Sequence, residues 1–273
     1  MTSRIPKRII QTGKSRDLPI LDRSSATTIQ LLNPDYEYLF FDDRDVENFI
    51  DTHFPQYRKV FDSFPVRIQR YDFFRYLAVY HHGGFYFDLD IFLASKLDDL
   101  LQHEAVFPFE ELSINRHLRR QYGLDWEIGN YAFAAAAGSP FLEAIIRNCI
   151  RAQQDPAWVQ PMMDCFPKAY HSDYYVLNTT GPGLVTRTLA DYPDRAAAVH
   201  VLFPDDVCDQ RHWHQFGDYG IHMQQATWRS GKGMLRRRIL RLWENWIRAR
   251  LHRQSQQQGP TRNLDFHRIE GWS

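Results

Sequence analysis

Apolar and polar positions along the chain alternate between a two-residue and a three-to-four-residue period. Ile5–Thr12, short and β-branched, predicts a first strand, and the aromatic run Tyr36–Phe41 a second. Between them Ser24 or Ser25 can cap a helix reaching about Leu32, where Asn33-Pro34 stops it. After Asp42-Asp43, the spacing of Val46, Phe49 and Ile50 predicts a helix over Asp45–Phe54. Val66–His82 follows Pro65, contains neither Gly nor Pro, and ends at Gly83-Gly84, where a left-handed cap is readily adopted. Phe85–Phe87 predicts a short strand running into Asp88-Leu89-Asp90. Downstream, Ala105–Phe109, Tyr131–Ala137 and Ala198–Phe203 are expected strands, and Pro140–Gln154 is an expected helix opened by Ser139-Pro140. Strands alternating with helices predict an α/β architecture, a largely parallel sheet flanked by helices.

With 273 residues, 44% of them hydrophobic and 15% aromatic, the chain can fill one large core or two modest ones, which excludes disorder over most of its length. The longest uncharged bland run is Tyr131–Gly138, too short to cross a bilayer. The start, Met1 to Arg8, has no apolar stretch, so no cleaved secretion signal is expected. Cys149, Cys165 and Cys208 are odd in number and lack C-x-x-C spacing, which points to a reducing interior rather than a disulfide framework or zinc site. The expected location is therefore cytoplasmic.

The formal charge is zero, yet Arg229–Arg253 holds nine basic residues against Glu244 alone, so the remainder is acidic. This predicts a division into a body, 1–228, and a basic amphipathic helix with a tail, 229–273. On a helical projection Leu235, Ile239, Leu242, Trp243, Trp246 and Ile247 share a face, with Arg237, Arg238, Arg241 and Arg248 opposite. Such a helix suits an anionic membrane surface, on the inner face for a cytoplasmic protein, or docking on the body's own acidic surface. Nucleic acid is not an expected partner, because no binding fold accompanies the charge.

Asp88 and Asp90 are two apart at the exit of an apolar strand, so both carboxylates face one side at the sheet's carboxyl edge, where ligands of open α/β sheets bind. A hard divalent cation relieves their repulsion; a solvated turn is the plainer alternative. Asp72 and Arg75 share a helix face thirteen residues upstream, and the Gly83-Gly84 turn can fold that face over the strand tip. A cation and a carboxylate there suit a nucleotide diphosphate, or form an ordinary intrahelical ion pair. Thr180-Gly181-Pro182 starts a helix whose terminus could also receive a substrate oxygen. Of the histidines, His81, His82, His212 and His214 read as surface or turn residues.

The composite Arg70–Asp90, R-Y-D-F-F-R-Y-L-A-V-Y-H-H-G-G-F-Y-F-D-L-D, resembles the sugar-binding region of the D-x-D glycosyltransferases of family 32. Further similarities are Ile5-Pro6-Lys7 with Gln11-Thr12, Asn33-Pro34 with Asp42-Asp43, Ile128-Gly129-Asn130 through Phe141, and Thr180-Gly181-Pro182. Ile10 and Gly13 stand where the family frequently has His and Trp. The resemblance implies a GT-A type fold and a retaining, metal-dependent transfer from a nucleoside-diphosphate sugar to a glycan or lipid-linked acceptor, in surface polysaccharide or glycolipid synthesis. It implies catalytic roles for Asp72, Arg75, Asp88, Asp90 and Asn130, and Mn²⁺ or Mg²⁺ held by Asp88, Asp90 and His222, which precedes Trp228 by six residues. Donor contacts are expected from Gln11, Thr12, Asp72, Arg75, Asp88, Thr180 and Gly181. Two other classes fit a D-x-D pair: a metal-dependent nucleotidyl or phosphoryl transferase, for which no G-x-x-x-x-G-K-[ST] loop is present, and a non-catalytic membrane-associated glycan-binding protein.

Overall fold

The computed structural model describes residues 4–223, 238–240 and 242–249. The strand β1 (Arg8–Thr12) pairs in parallel with β2 (Glu37–Phe41) on one side and β3 (Gly84–Phe87) on the other. The crossovers are α1 (Ile20–Leu32), then α2 (Asp43–His53), α3 (Arg58–Ser63) and α4 (Arg67–His82). After β4 (Ile91–Leu93) come β5 (Ala105–Leu112), α5 (Arg116–Tyr122), β6 (Trp126–Ile128) and β7 (Ala132–Ala135). The helices α6 (Pro140–Gln154), α7 (Pro156–Met163), α8 (His171–Thr179), α9 (Pro182–Asp191) and α10 (Arg195–Ala198) lead to β8 (His200–Leu202), β9 (Gln215–Phe216) and β10 (Gly220–His222). The main sheet runs β2-β1-β3-β7-β5-β6, with β8 parallel to β5. This is the expected α/β arrangement: a Rossmann-like parallel half, extended by antiparallel pairings of β7 with β3 and β5 and of β5 with β6.

Both faces of this sheet are covered, which is why its central strands read as unbroken apolar runs rather than as alternations. Ile10, Tyr86, Phe107 and Phe133 point into one core, while Ile9, Phe85, Phe87 and Val106 point into the other. Gly83 and Gly84 stand at φ +66° and +106°; a side chain at Gly84 would strike the Arg8 carbonyl, so glycine lets β3 lie against β1 directly after α4.

Several boundaries differ from the expectation for identifiable reasons. α1 starts at Ile20, not at a serine cap: Ser24 bonds back to the Ile20 carbonyl, and buried Ser25 donates to the Ile91 carbonyl, tying α1 to β4. α2 starts at Asp43 because Asp42 accepts from the Arg44 and Asp45 amides while Asp45 accepts from Asp42, a reciprocal cap. Strand β1 begins at Arg8, after Pro6, and β5 continues to Leu112 through an irregularity between Phe109 and Glu111.

A second, antiparallel sheet, β4-β10-β9, places His222 opposite Ile91, the residue after Asp90. Beyond it, residues 238–240 and 242–249 are helical and rest on the body. Leu240 is buried, and Trp243 and Ile247 pack on the same core, whereas Ile239, Leu242 and Trp246 are exposed. The apolar residues expected to share one face are thus split between two adjacent stripes, about a quarter turn apart. Arg248, placed opposite the apolar face by the projection, instead turns inward to Glu111. Leu235, Arg237 and Arg241 lie outside the described residues.

Candidate active site

The buried part of the site hangs from α4. Asp72 and Arg75, on one helical face, are each 4% exposed, and the guanidinium lies 3.2 Å from an Asp72 oxygen and 3.2 Å from an Asp88 oxygen. Nη1 of Arg75 also donates to the Asn130 carbonyl at 2.8 Å. The other oxygen of Asp72 accepts from the Thr180 hydroxyl at 2.8 Å, while the Asn130 amide donates to Asp72 at 3.3 Å and to the Tyr76 hydroxyl at 2.8 Å. Tyr76 closes the ring by donating to the Thr180 carbonyl at 2.7 Å. The Gly83-Gly84 turn therefore does bring the Asp72–Arg75 face back over the exit of β3.

On the open side, Asp88, Asp90 and His222 each offer a ligand atom within 4.8 Å of the others. Asp88 is 29% exposed by side chain, so this mouth is open to solvent while Asp72 below it is not. Tyr86 donates to Asp88 at 2.7 Å, Thr12 meets the Tyr86 hydroxyl at 3.2 Å, and the Arg75 guanidinium lies over the Tyr86 ring at 4.7 Å. His222 Nε2 is 3.3 Å from Asp90, its ring stacks on Tyr131 at 4.3 Å, and its Nδ1 is buried without a hydrogen-bond partner among the described residues.

Burial raises the Asp72 carboxyl above the ordinary range despite the pull of Arg75 and Thr180. Asp88 is raised too, first by burial and then by Asp90, with Arg75 opposing. Burial also disfavours the Arg75 charge, but Asp88, Tyr86 and Asp72 outweigh it and hold the guanidinium firmly protonated. Burial keeps the Tyr86 phenol protonated, hence a donor to Asp88. Two carboxylates and an imidazole whose ligand atoms lie within 4.8 Å of one another fit a divalent cation that accepts mixed O and N ligands.

Three residues expected at the donor are placed differently. Gln11 is fully buried; its amide donates to the Asp88 carbonyl at 3.3 Å and its oxygen accepts from Tyr38 at 2.8 Å, so it fixes the strand tip. Thr180 is fully buried behind Asp72, and the Thr180 and Gly181 amides both donate to the Val176 carbonyl, leaving neither amide for a ligand. They end α8 as well as starting α9, and the helix-end bonds consume the donors. Sequence reading did not single out Tyr86 or Tyr76. Their signals were present: Tyr86 alternates onto the Asp88 side of β3, and Tyr76 follows Asp72 by one helical turn.

The site is thus a D-x-D pair at the carboxyl edge of a Rossmann-like α/β sheet, backed by a buried Asp–Arg pair. Residues 22–107 match the family described as glycosyltransferase sugar-binding region containing DXD motif, the match that the family 32 resemblance implied. Inositol phosphoceramide mannosyltransferase 3 of Schizosaccharomyces pombe is 31% identical over 201 residues, covering 72% of this chain and 49% of the relative. Inositol phosphoceramide mannosyltransferase 2 of the same yeast is 39% identical over 53% of this chain and 38% of its own. The initiation-specific alpha-1,6-mannosyltransferase of Candida albicans is 23% identical over 68% and 53%. The chain spans about half the length, or less, of these curated relatives. Among solved structures, the PaToxG glycosyltransferase aligns with 68% of this chain and 69% of its own at a TM-score of 0.46 and 15% identity.

Proposed function

We propose that this chain is a retaining glycosyltransferase that moves a sugar from a nucleoside-diphosphate donor to a hydroxyl of a glycan or lipid-linked acceptor, in surface polysaccharide or glycolipid synthesis. The names of its relatives favour mannose as the sugar and a glycolipid as the acceptor. The observation carrying this reading is the convergence of Asp88, Asp90 and His222 directly above the buried Asp72–Arg75 pair. Mn²⁺ or Mg²⁺ held by those three residues would supply positive charge beside the donor's diphosphate.

The remaining work falls to the chain's own groups. Transfer breaks the bond from the anomeric carbon to the diphosphate oxygen and forms one to the acceptor oxygen, whose proton is lost. Charge grows on the departing oxygen. Arg75, kept charged by Asp72 and Asp88, contributes a fixed positive field at that end of the site without reorganising during the reaction. Asn130 and Thr180 orient Asp72, and Tyr86 orients Asp88, so each carboxylate is held before the donor arrives.

The test is a panel of nucleotide sugars, including a nucleoside-diphosphate mannose, assayed with Mn²⁺ for the nucleotide product. Release of nucleoside diphosphate is expected, and Asp90→Ala should lower it by at least about a hundredfold, a loss of several kcal/mol of charge stabilisation. Nucleoside monophosphate or pyrophosphate as product would move the protein to the nucleotidyl and phosphoryl transferases.

The acceptor chemistry and the basic segment together support a peripheral position on the cytoplasmic face of a membrane. Ile239, Leu242 and Trp246, 49%, 62% and 56% exposed, form a stripe about a quarter turn round the helix from Leu240 and Trp243. With exposed Arg238 beside them, they suit the interface of an anionic bilayer. Among the described residues no helix is long and apolar enough to span one.

A further inference from the structure

A second cluster of charged side chains, unused by this mechanism, lies where β5 and β6 meet the C-terminal helix. Arg248, 9% exposed by side chain, pairs with Glu111 and lies 3.8 Å from Glu244, with its guanidinium 5.3 Å over the Trp213 ring. Glu244 in turn accepts from the Tyr174 hydroxyl at 2.6 Å, so the helix is held at two points. The other oxygen of Glu111 is 3.6 Å from His214 Nε2, and His214 Nδ1 is 3.0 Å from Glu110. His214 has φ +56°, a left-handed conformation that a side chain rarely adopts unless its surroundings hold it there.

What His214 fixes lies on the other side. Its amide donates to the Glu110 carbonyl at 3.1 Å, and the next residue, Gln215, pairs with Ile221 in the strand that carries His222. The Gln215 carbonyl accepts from Tyr131 at 2.9 Å, and the Tyr131 ring stacks on His222. The Glu110 carboxylate lies so close over Gly129 that a Cβ there would collide with it, and Asn130, whose carbonyl receives Arg75, is the next residue. An unbroken series of contacts thus joins Arg248 to His222.

We propose that Arg248 is a positioning residue: by pairing with Glu111 it holds the His214 turn, and through it the β9–β10 edge that presents His222 beside Asp90. This rests on the reading of Asp88, Asp90 and His222 as a cation site. Arg248 touches no substrate. Without it Glu111 loses its cation, the turn at His214 is released, and His222 is no longer held on Tyr131. Groups that directly orient a metal ligand change metal affinity roughly ten- to a hundredfold, and Arg248, several contacts away, is expected at the lower end of that range.

The experiment titrates the full chain with Mn²⁺ alone and counts free ion by electron paramagnetic resonance, without donor or acceptor. Arg248→Ala and Glu111→Gln should each weaken binding about tenfold, and Arg248→Lys should recover part of the loss. Transfer lost by Arg248→Ala at low Mn²⁺ should return at saturating Mn²⁺, which an unfolding lesion would not allow. Should Arg248→Ala fail to fold, Glu111→Gln and Arg248→Lys decide alone. Asp90→Ala is the control: if it abolishes Mn²⁺ binding while the folded positioning variants bind within twofold of wild type, the role of Arg248 is overturned and the site stands. If Asp90→Ala binds normally, the site reading itself has failed.

Discussion

Tyr86 joins three groups whose roles would otherwise be separate. Its hydroxyl donates to Asp88, its ring lies under the Arg75 guanidinium, and Thr12 lies at the same hydroxyl. A hydrogen bond to a charged group contributes about 1.5–3 kcal/mol, so Tyr86→Phe should lower kcat/KM roughly tenfold or more while preserving the fold. Steady-state kinetics over a Mn²⁺ series would measure this, and an unchanged kcat/KM would remove Tyr86 from the site. Away from the site, burial and then Glu111 push the Glu127 carboxyl up to about 7, against the Ser113 hydroxyl that donates to it. Because the folded value exceeds the unfolded value of 4.5, the folded state binds more protons between those pH values. Stability from this group is therefore full below about pH 4.5 and is lost as pH rises through about 7. Glu127→Gln keeps an acceptor for Ser113 and removes the titration. Its denaturant midpoint should gain on wild type between pH 5 and 8; parallel curves would exclude the effect. The Glu127 neighbourhood could not be read from spacing alone, because Glu127, Glu111 and Ser113 meet only through the pairing of β5 with β6.

At the scale of elements, legibility followed the strength of local signals. Pro140 opens α6 and Gly83 ends α4 because proline and glycine have backbone properties that other residues lack. The Asp72–Arg75 face and the Asp88–Asp90 pair were legible for the same reason: helix and strand periods are local. The sheet β4-β10-β9 was not, since strands of two or three residues carry no period, and His222 reaches Asp90 only through it. Gln11 and Thr180 illustrate a different limit. Their positions near the site were readable, but the direction of their polar atoms was set by Asp88, Tyr38, Asp72 and Val176. The same backbone argument makes a prediction at the turn between α4 and β3. Gly84→Ala would place a Cβ 2.6 Å from the Arg8 carbonyl at a φ of +106°, and should cost about 1–3 kcal/mol. Gly123→Ala, at φ +67° with nothing within 4 Å of the added carbon, should cost only about 1 kcal/mol. Urea midpoints of the two variants test the difference, and equal losses would mean that the approach of β3 to β1 is not what Gly84 permits.

For the whole molecule, the C-terminal helix packs one apolar stripe on the body and leaves the next exposed, so docking on the body is observed and contact with an anionic bilayer is what we propose for the second. One stripe, with Leu240, Trp243, Ile247 and inward-turned Arg248, is committed to the body; the next, with Ile239, Leu242 and Trp246, faces outward. Under the proposed membrane contact, a helix fixed to the body by one stripe would hold the body at a set orientation to the bilayer. A flexibly tethered helix could not. Burying a leucine is worth about 1.5–3 kcal/mol, so Leu242→Glu should lower partitioning onto vesicles containing phosphatidylserine at least about tenfold, with donor hydrolysis in solution unaffected. Co-sedimentation at low and physiological salt separates the contributions: the basic residues account for the salt-sensitive part, and the stripe for what persists. If Leu242→Glu and wild type sediment equally at both salt concentrations, the outward stripe serves another purpose, and the acceptor must reach the site without the bilayer as a guide.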